Sequence, residues 1–121
     1  MMREKLRIVC ATRKDPAKFF TETALGRSLA VYNYPRSEIR LHANNTRGLP
    51  SIYNEAISES ANDPAVLVFI HDDLHLCDFY WGAHVLNALQ AFDVVGLAGN
   101  RRRVPRQPGW AFIDDKFTWD A

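Results

Sequence analysis

The segment from Val66 to Leu76 reads VLVFIHDDLHL, and it places an imidazole and two carboxylates, His71, Asp72 and Asp73, directly after five apolar residues. Adjacent carboxylates of this kind suit a hard divalent cation, because magnesium and manganese are commonly held by one or two protein carboxylates, with water and substrate phosphates completing the shell. A metal so placed neutralises phosphate charge and stabilises a departing nucleoside diphosphate. The plainer alternative is that one aspartate caps the following segment or meets a nearby arginine. Other polar residues wait at similar positions: Thr12 and Arg13 after LRIVCA, Asn44 and Asn45 after EIRLHA, and Gly99 to Arg103 after FDVVGLA.

Those residues share a site only if the preceding apolar stretches are parallel strands. Leu6 to Thr12 is a short β-branched run and is expected to be the first strand. Asp15-Pro16 supplies an N-cap and a first-turn proline for a helix running to about Val31, with Phe19, Phe20, Ala24, Leu25, Leu29 and Val31 inward. Glu38 to Ala43 alternates as a half-covered second strand. Leu49 to Ala61 carries Ile52, Ala56 and Ile57 at helical spacing, and Asn62-Asp63-Pro64 closes that helix. The apolar run beginning at Val66 is expected to be a strand buried on both faces. A helix over Cys77 to Phe92 follows, capped by Asp78, with Phe79, Ala83, Leu86, Leu89 and Phe92 inward; Val94 to Ala98 is expected to be a fourth strand. The order β-α-β-α-β-α-β predicts an α/β fold, a three-layer α/β/α sandwich around a mostly parallel sheet with right-handed crossovers. In such sheets ligands bind beyond the carboxyl ends of the strands.

Composition sets the outer bounds. The chain has 121 residues, 47% hydrophobic and 24% charged, with a net charge of +1. Residues 1–121 are expected to form a single domain, with 100–121 an irregular covering tail that includes one short strand at Trp110 to Ile113. No apolar run approaches the length of a membrane span. The basic start MMREKLRIVCAT reads as a first strand rather than a leader, which points to the cytoplasm. Cys10 and Cys77 lack ligand spacing and are expected to be free, mostly buried thiols. The near-neutral charge argues against a dedicated nucleic-acid binder.

Three stretches in order, NNTRGLPSIYNEAI, VLVFIHDDL and FDVVGLAGNRRR, resemble family 2-like nucleotide-diphospho-sugar glycosyltransferases of GT-A fold, in particular a bacterial branch of surface-polysaccharide synthesis. The likeness covers roughly residues 6 to 103, the donor-binding half of such enzymes. It implies a nucleoside-diphosphate sugar of UDP or GDP type as partner and manganese or magnesium as cofactor. By this resemblance Thr12 and Asn44 line the base and ribose pocket, with Arg13 beside them on the rim. Gly48 permits close backbone approach, and Asn54 faces the nucleotide. Asp73 matches the last carboxylate of the family's metal motif and is the first metal ligand, while Asp72 touches ribose or reaches ligand through water. His71 stands where the family has its first aspartate. Imidazole binds manganese better than magnesium, and His71 is the second expected metal ligand or a hydrogen-bonding partner of ribose or phosphate.

Arg101, Arg102, Arg103 and Arg106 form a basic cluster near Trp110. Its readings are a solvated loop, a clamp on the sugar-nucleotide diphosphate, with Arg101 foremost, or a patch for an acidic polymer. His42, His75 and His84 are assigned to element surfaces, and Trp81, Trp110 and Trp119 to core or cover. The resemblance implies an acceptor half with a general base, yet Asp114, Asp115 and Asp120 are the only late carboxylates and none is assigned that role. A non-catalytic nucleotide-binding module or assembly subunit is therefore the alternative. Oligomerisation would reconcile the two readings, with exposed apolar residues of the tail such as Trp110, Phe112 and Phe117 packing on a second copy.

Overall fold

The computed structural model describes residues 4–97, 104–109 and 111–119. These divide into two compact units, one ending at residue 88 and the other beginning at residue 89. The first carries all the named elements: β1 (Leu6–Ala11), α1 (Pro16–Glu22), α2 (Ala24–Leu29), β2 (Ser37–His42), α3 (Leu49–Glu59), β3 (Val66–Phe69) and α4 (Trp81–Ala88). The three strands form an open sheet of order β2-β1-β3 in which both pairings are parallel. It is a small α/β fold.

Alternation along β1 decides what covers each face. Leu6, Ile8 and Cys10 join Phe19, Leu25, Ile70, Leu76 and Trp81 in one hydrophobic cluster, so α1, α2 and α4 contribute to that face. Val9 meets Ile52 and Ala56 of α3 on the other. The connection leaving β1 therefore departs to one face and the connection leaving β2 to the opposite one. The carboxyl ends of all three parallel strands share one edge, which is where sheets of this kind receive ligands.

Burial on both faces belongs to β1, not to the strand beginning at Val66. Leu6, Ile8, Val9 and Cys10 are at most 1% exposed, whereas Val66 to Val68 are half-buried and Phe69 is 38% exposed. Both strands have the composition of an inner strand, but among the described residues β3 has a neighbour on one side only. The expected fourth strand is absent from residues 94–97, where Val94 and Leu97 are almost fully exposed. Strand-like residues form a ladder only where an edge receives them. In the second unit, Phe112 and Trp119 form a single antiparallel bridge in place of the expected strand at Trp110 to Ile113. Trp110 itself lies outside the described residues.

The first expected helix is two helices. Thr23 adopts an extended conformation between them, its hydroxyl donating to the Phe19 carbonyl (2.7 Å) and accepting from the Gly26 N–H (3.0 Å). It thus ends α1 and caps α2. The break leaves Phe20 and Val31 exposed rather than inward. Gly26 is required by proximity: a Cβ there would lie 2.0 Å from the Phe19 carbonyl oxygen. The expected helix over Cys77 to Phe92 contracts to α4, with Trp81 buried and Phe79, Ala83 and Phe92 exposed. Asp78 does accept from the Tyr80 N–H (2.8 Å) ahead of it. Cys10 is buried, Cys77 is exposed, and both thiols are free.

One charged side chain lies inside the sheet. Arg7 on β1 is 1% exposed, and its guanidinium donates to Glu38 on β2 (2.7 Å) and to the Asp63 carboxylate (2.5 Å) and carbonyl (3.0 Å) ahead of β3. A buried cation is tolerated only when paired and hydrogen-bonded in this way. The Arg7 hydrogen bond, followed by that of Lys5, holds Glu38 below the ordinary 4.5, and the Lys5 hydrogen bond is the main cause holding Asp63 below 3.8.

Two predictions follow from these contacts. Gly26→Ala should cost about 3 kcal/mol by overpacking against the α1 backbone, read as a lower urea midpoint with an unchanged m-value. Because both carboxylate pKa values are depressed in the folded state, their contribution is whole above the ordinary values and is lost as the pH falls through the folded ones. Urea titrations of Arg7→Met should show about 1–3 kcal/mol lower stability at neutral pH and a flatter decline below pH 4.5 than the native chain.

Candidate functional site

The crevice is built by two loops that continue the β1–β2 ladder past its ends. The Thr12 N–H donates to the His42 carbonyl (3.0 Å), Asn45 N–H to the Thr12 carbonyl (2.8 Å), and Asn44 N–H to the Lys14 carbonyl (2.9 Å). Asn44 makes the turn with φ of 50°, a left-handed conformation that asparagine adopts more readily than most residues. The Asn45 side chain then accepts from the Arg47 N–H (3.2 Å) and donates to the Arg47 carbonyl (2.8 Å). This local turn delivers the chain to Gly48, which begins α3 without a side-chain cap.

A cavity of about 630 Å³ lies between these loops and the end of β3, lined by Ala11 to Lys14, Asn45 to Leu49, His71 and Asp72. A second, of about 540 Å³, is lined by Arg13, Asn44, Asn45 and Thr46. The floor is fixed by Thr12, which is 3% exposed: its hydroxyl donates to Asp72 Oδ2 (2.8 Å) and accepts from the Lys14 N–H (3.3 Å). The Asp72 carbonyl in turn accepts from Leu25 N–H at the start of α2 (3.0 Å). Asp72 therefore joins the end of β3 to both β1 and α2.

Three basic residues, Arg13, Lys14 and Arg47, and one acidic residue, Asp72, are among those lining this cavity. Lys14 pairs with Glu22 (3.1 Å) and Arg47 with Glu55 (2.7 Å). The Arg47 hydrogen bond is the main reason the Glu55 carboxyl lies below its ordinary range. Among the described residues Arg13 has no ion-pair partner. Beneath the floor, burial first and then the negative charges of Asp72 and Asp73 push the Cys10 thiol up to about 12, so it stays neutral and is no nucleophile.

Of the residues named from sequence, Thr12, Arg13, Gly48, His71 and Asp72 line the larger cavity, and Asn44 lines the smaller one. Asp73 is exposed and lines neither, and Asn54 lies on an exposed part of α3. Arg101, with Gly99, Arg102 and Arg103, lies outside the described residues. Lys14, Asn45, Thr46 and Arg47 enter the site without having been assigned a role. The available signal was a run of basic and amide residues directly after each of two expected parallel strands. Asp114 belongs to a turn in the second unit, where hydrogen bonds from Thr118, and then Lys116, lower its pKa.

Of the carboxylates that the resemblance offers to a divalent cation, Asp72 lines the larger cavity and Asp73 does not. Among the described residues no group of three or more His, Cys, Asp or Glu side chains is placed to hold a metal. Asp72 Oδ2 accepts the Thr12 hydroxyl, and Asp73 lines neither cavity. Compared with protein-family models, curated proteins and solved structures, the chain matches none of them. What the structure defines is a small α/β domain with an open, all-parallel sheet and a polar crevice at its carboxyl edge. Among its described residues no helix is long and apolar enough to cross a membrane.

The Thr12–Asp72 contact can be tested directly. Thr12→Val should cost about 1–2 kcal/mol, since it leaves a half-buried carboxylate oxygen without its donor. Thr12→Val and Asp72→Ala together should cost less than the sum of the two changes, as read by a double-mutant cycle in urea.

Proposed function

We propose that this domain binds a nucleoside diphosphate, carried as a nucleotide sugar, in the crevice between the loops after β1 and β2. One observation supports the reading above the others: Arg13, Lys14 and Arg47 converge with Thr12, Asn45 and His71 on one cavity at the carboxyl edge of a parallel sheet. Cationic groups suit phosphate oxygens, amide and hydroxyl groups suit ribose and base, and this edge is where parallel α/β sheets receive ligands. The resemblance of NNTRGLPSIYNEAI and VLVFIHDDL to nucleotide-diphospho-sugar glycosyltransferases extends the proposal. In that reading the domain is a shortened GT-A-type, three-layer donor-binding unit serving sugar transfer to a hydroxyl acceptor in polysaccharide synthesis.

A second reading, binding without transfer, is favoured by the commitment of Asp72. Its carboxylate and carbonyl hold Thr12 and α2, which is a task of positioning rather than proton transfer. The chain would then sense a nucleotide or serve as a subunit of a larger assembly.

Thermal unfolding with UDP, GDP and their sugar conjugates tests the shared core of both readings. A nucleotide present at a hundred times its Kd should add about 2.7 kcal/mol of stability, a rise of several degrees in Tm for a chain of this size. An unchanged Tm across the panel would overturn nucleotide binding in both readings and leave only the assembly subunit. Release of free nucleoside diphosphate from a sugar conjugate, dependent on an added hydroxyl acceptor, would select transfer over binding alone.

A further inference from the structure

Resting on the nucleotide-binding reading, we propose that the phosphates in the crevice are held by Arg13, Lys14 and Arg47 directly, with no divalent cation between protein and ligand. Three arrangements carry this. First, three basic residues and one carboxylate line the cavity, and of the basic residues Arg13 alone has no ion-pair partner among the described residues, which leaves its charge available to an anion. Second, one oxygen of that carboxylate is engaged: Asp72 Oδ2 accepts the Thr12 hydroxyl at 2.8 Å, and Thr12 is almost completely buried beneath the cavity. Third, Asp73, the carboxylate expected to lead a metal site, does not line the cavity.

The cations also differ in readiness. Arg13 has no ion-pair partner among the described residues and presents a planar fork of donors that matches two phosphate oxygens at once. Lys14 and Arg47 are paired with Glu22 and Glu55, but all four side chains are at least 41% exposed. Exposed pairs of this kind are weak enough to exchange for a more highly charged partner. Arg13 is the primary phosphate ligand, and Lys14 and Arg47 are recruited by the charge of the second phosphate. Glu22 and Glu55 keep the empty crevice from carrying three unscreened positive charges.

Calorimetric titration of the whole chain with inorganic pyrophosphate and with UDP and GDP, each in EDTA and in manganese, tests the proposal. The expected result is binding in EDTA at least as tight as in manganese, which competes for the phosphate oxygens, with Arg13→Ala weakening pyrophosphate roughly tenfold in EDTA, a loss of one charge-assisted contact. Arg13→Lys should restore part of it, and Asp73→Asn should change nothing. Arg13 is exposed, and an unchanged circular dichroism spectrum verifies that its variants fold. Pyrophosphate binding dependent on Arg13 without nucleotide binding would support the anion site and overturn the nucleotide reading. Binding that appears only with manganese and disappears in Asp73→Asn, or no binding of any probe, would overturn the proposal.

Discussion

The arrangement of this domain depends on the complete burial of β1. A central strand covered on both faces must satisfy every polar group it carries from within the protein. Its backbone does so through parallel ladders to β2 and β3. Its single buried charge, Arg7, does so through Glu38 on β2 and Asp63 ahead of β3. The same guanidinium thus ties all three strands together near their amino ends, and a slip of either neighbour by one residue would separate it from a partner.

At the opposite end of β1, Thr12 performs the corresponding task with a hydroxyl. It donates to Asp72 after β3, while its backbone bonds to His42 and Asn45 along the continuation of β2. Polar contacts therefore fix β1 at both ends, with apolar packing between. The crevice inherits this rigidity, because its floor is the strand end itself and one wall is the Asn45 turn leading into α3.

Charge is distributed unevenly along the axis of the sheet. Around Arg7 the carboxylates neutralise a buried cation, whereas at the carboxyl edge the cations face open space and their carboxylate partners lie on the flanking helices. A chain with a net charge of only +1 thereby gathers three basic residues at one rim. Bulk composition gives no hint of it, since the rim arises from which residues the fold gathers.

Much of this was legible in the chain itself. Period-two and apolar runs located β1, β2 and β3, Asp15-Pro16 announced the start of α1, and the order of elements implied parallel pairing. Those features are local, because they depend on spacing and on the backbone preferences of single residues. Thr12, Arg13, Gly48, His71 and Asp72 were also identifiable as residues that follow such elements. Only tertiary structure decided that β1 rather than β3 is doubly buried, that Val94 to Leu97 forms no strand, and that Thr23 divides a helix. It also decided that Asp72 is held by Thr12, leaving Asp73 outside the crevice and admitting Lys14 and Arg47. The physical reason is the same in each case. Burial, pairing and charge environment are properties of neighbours brought from distant positions, and a strand's own residues cannot specify which neighbours it receives.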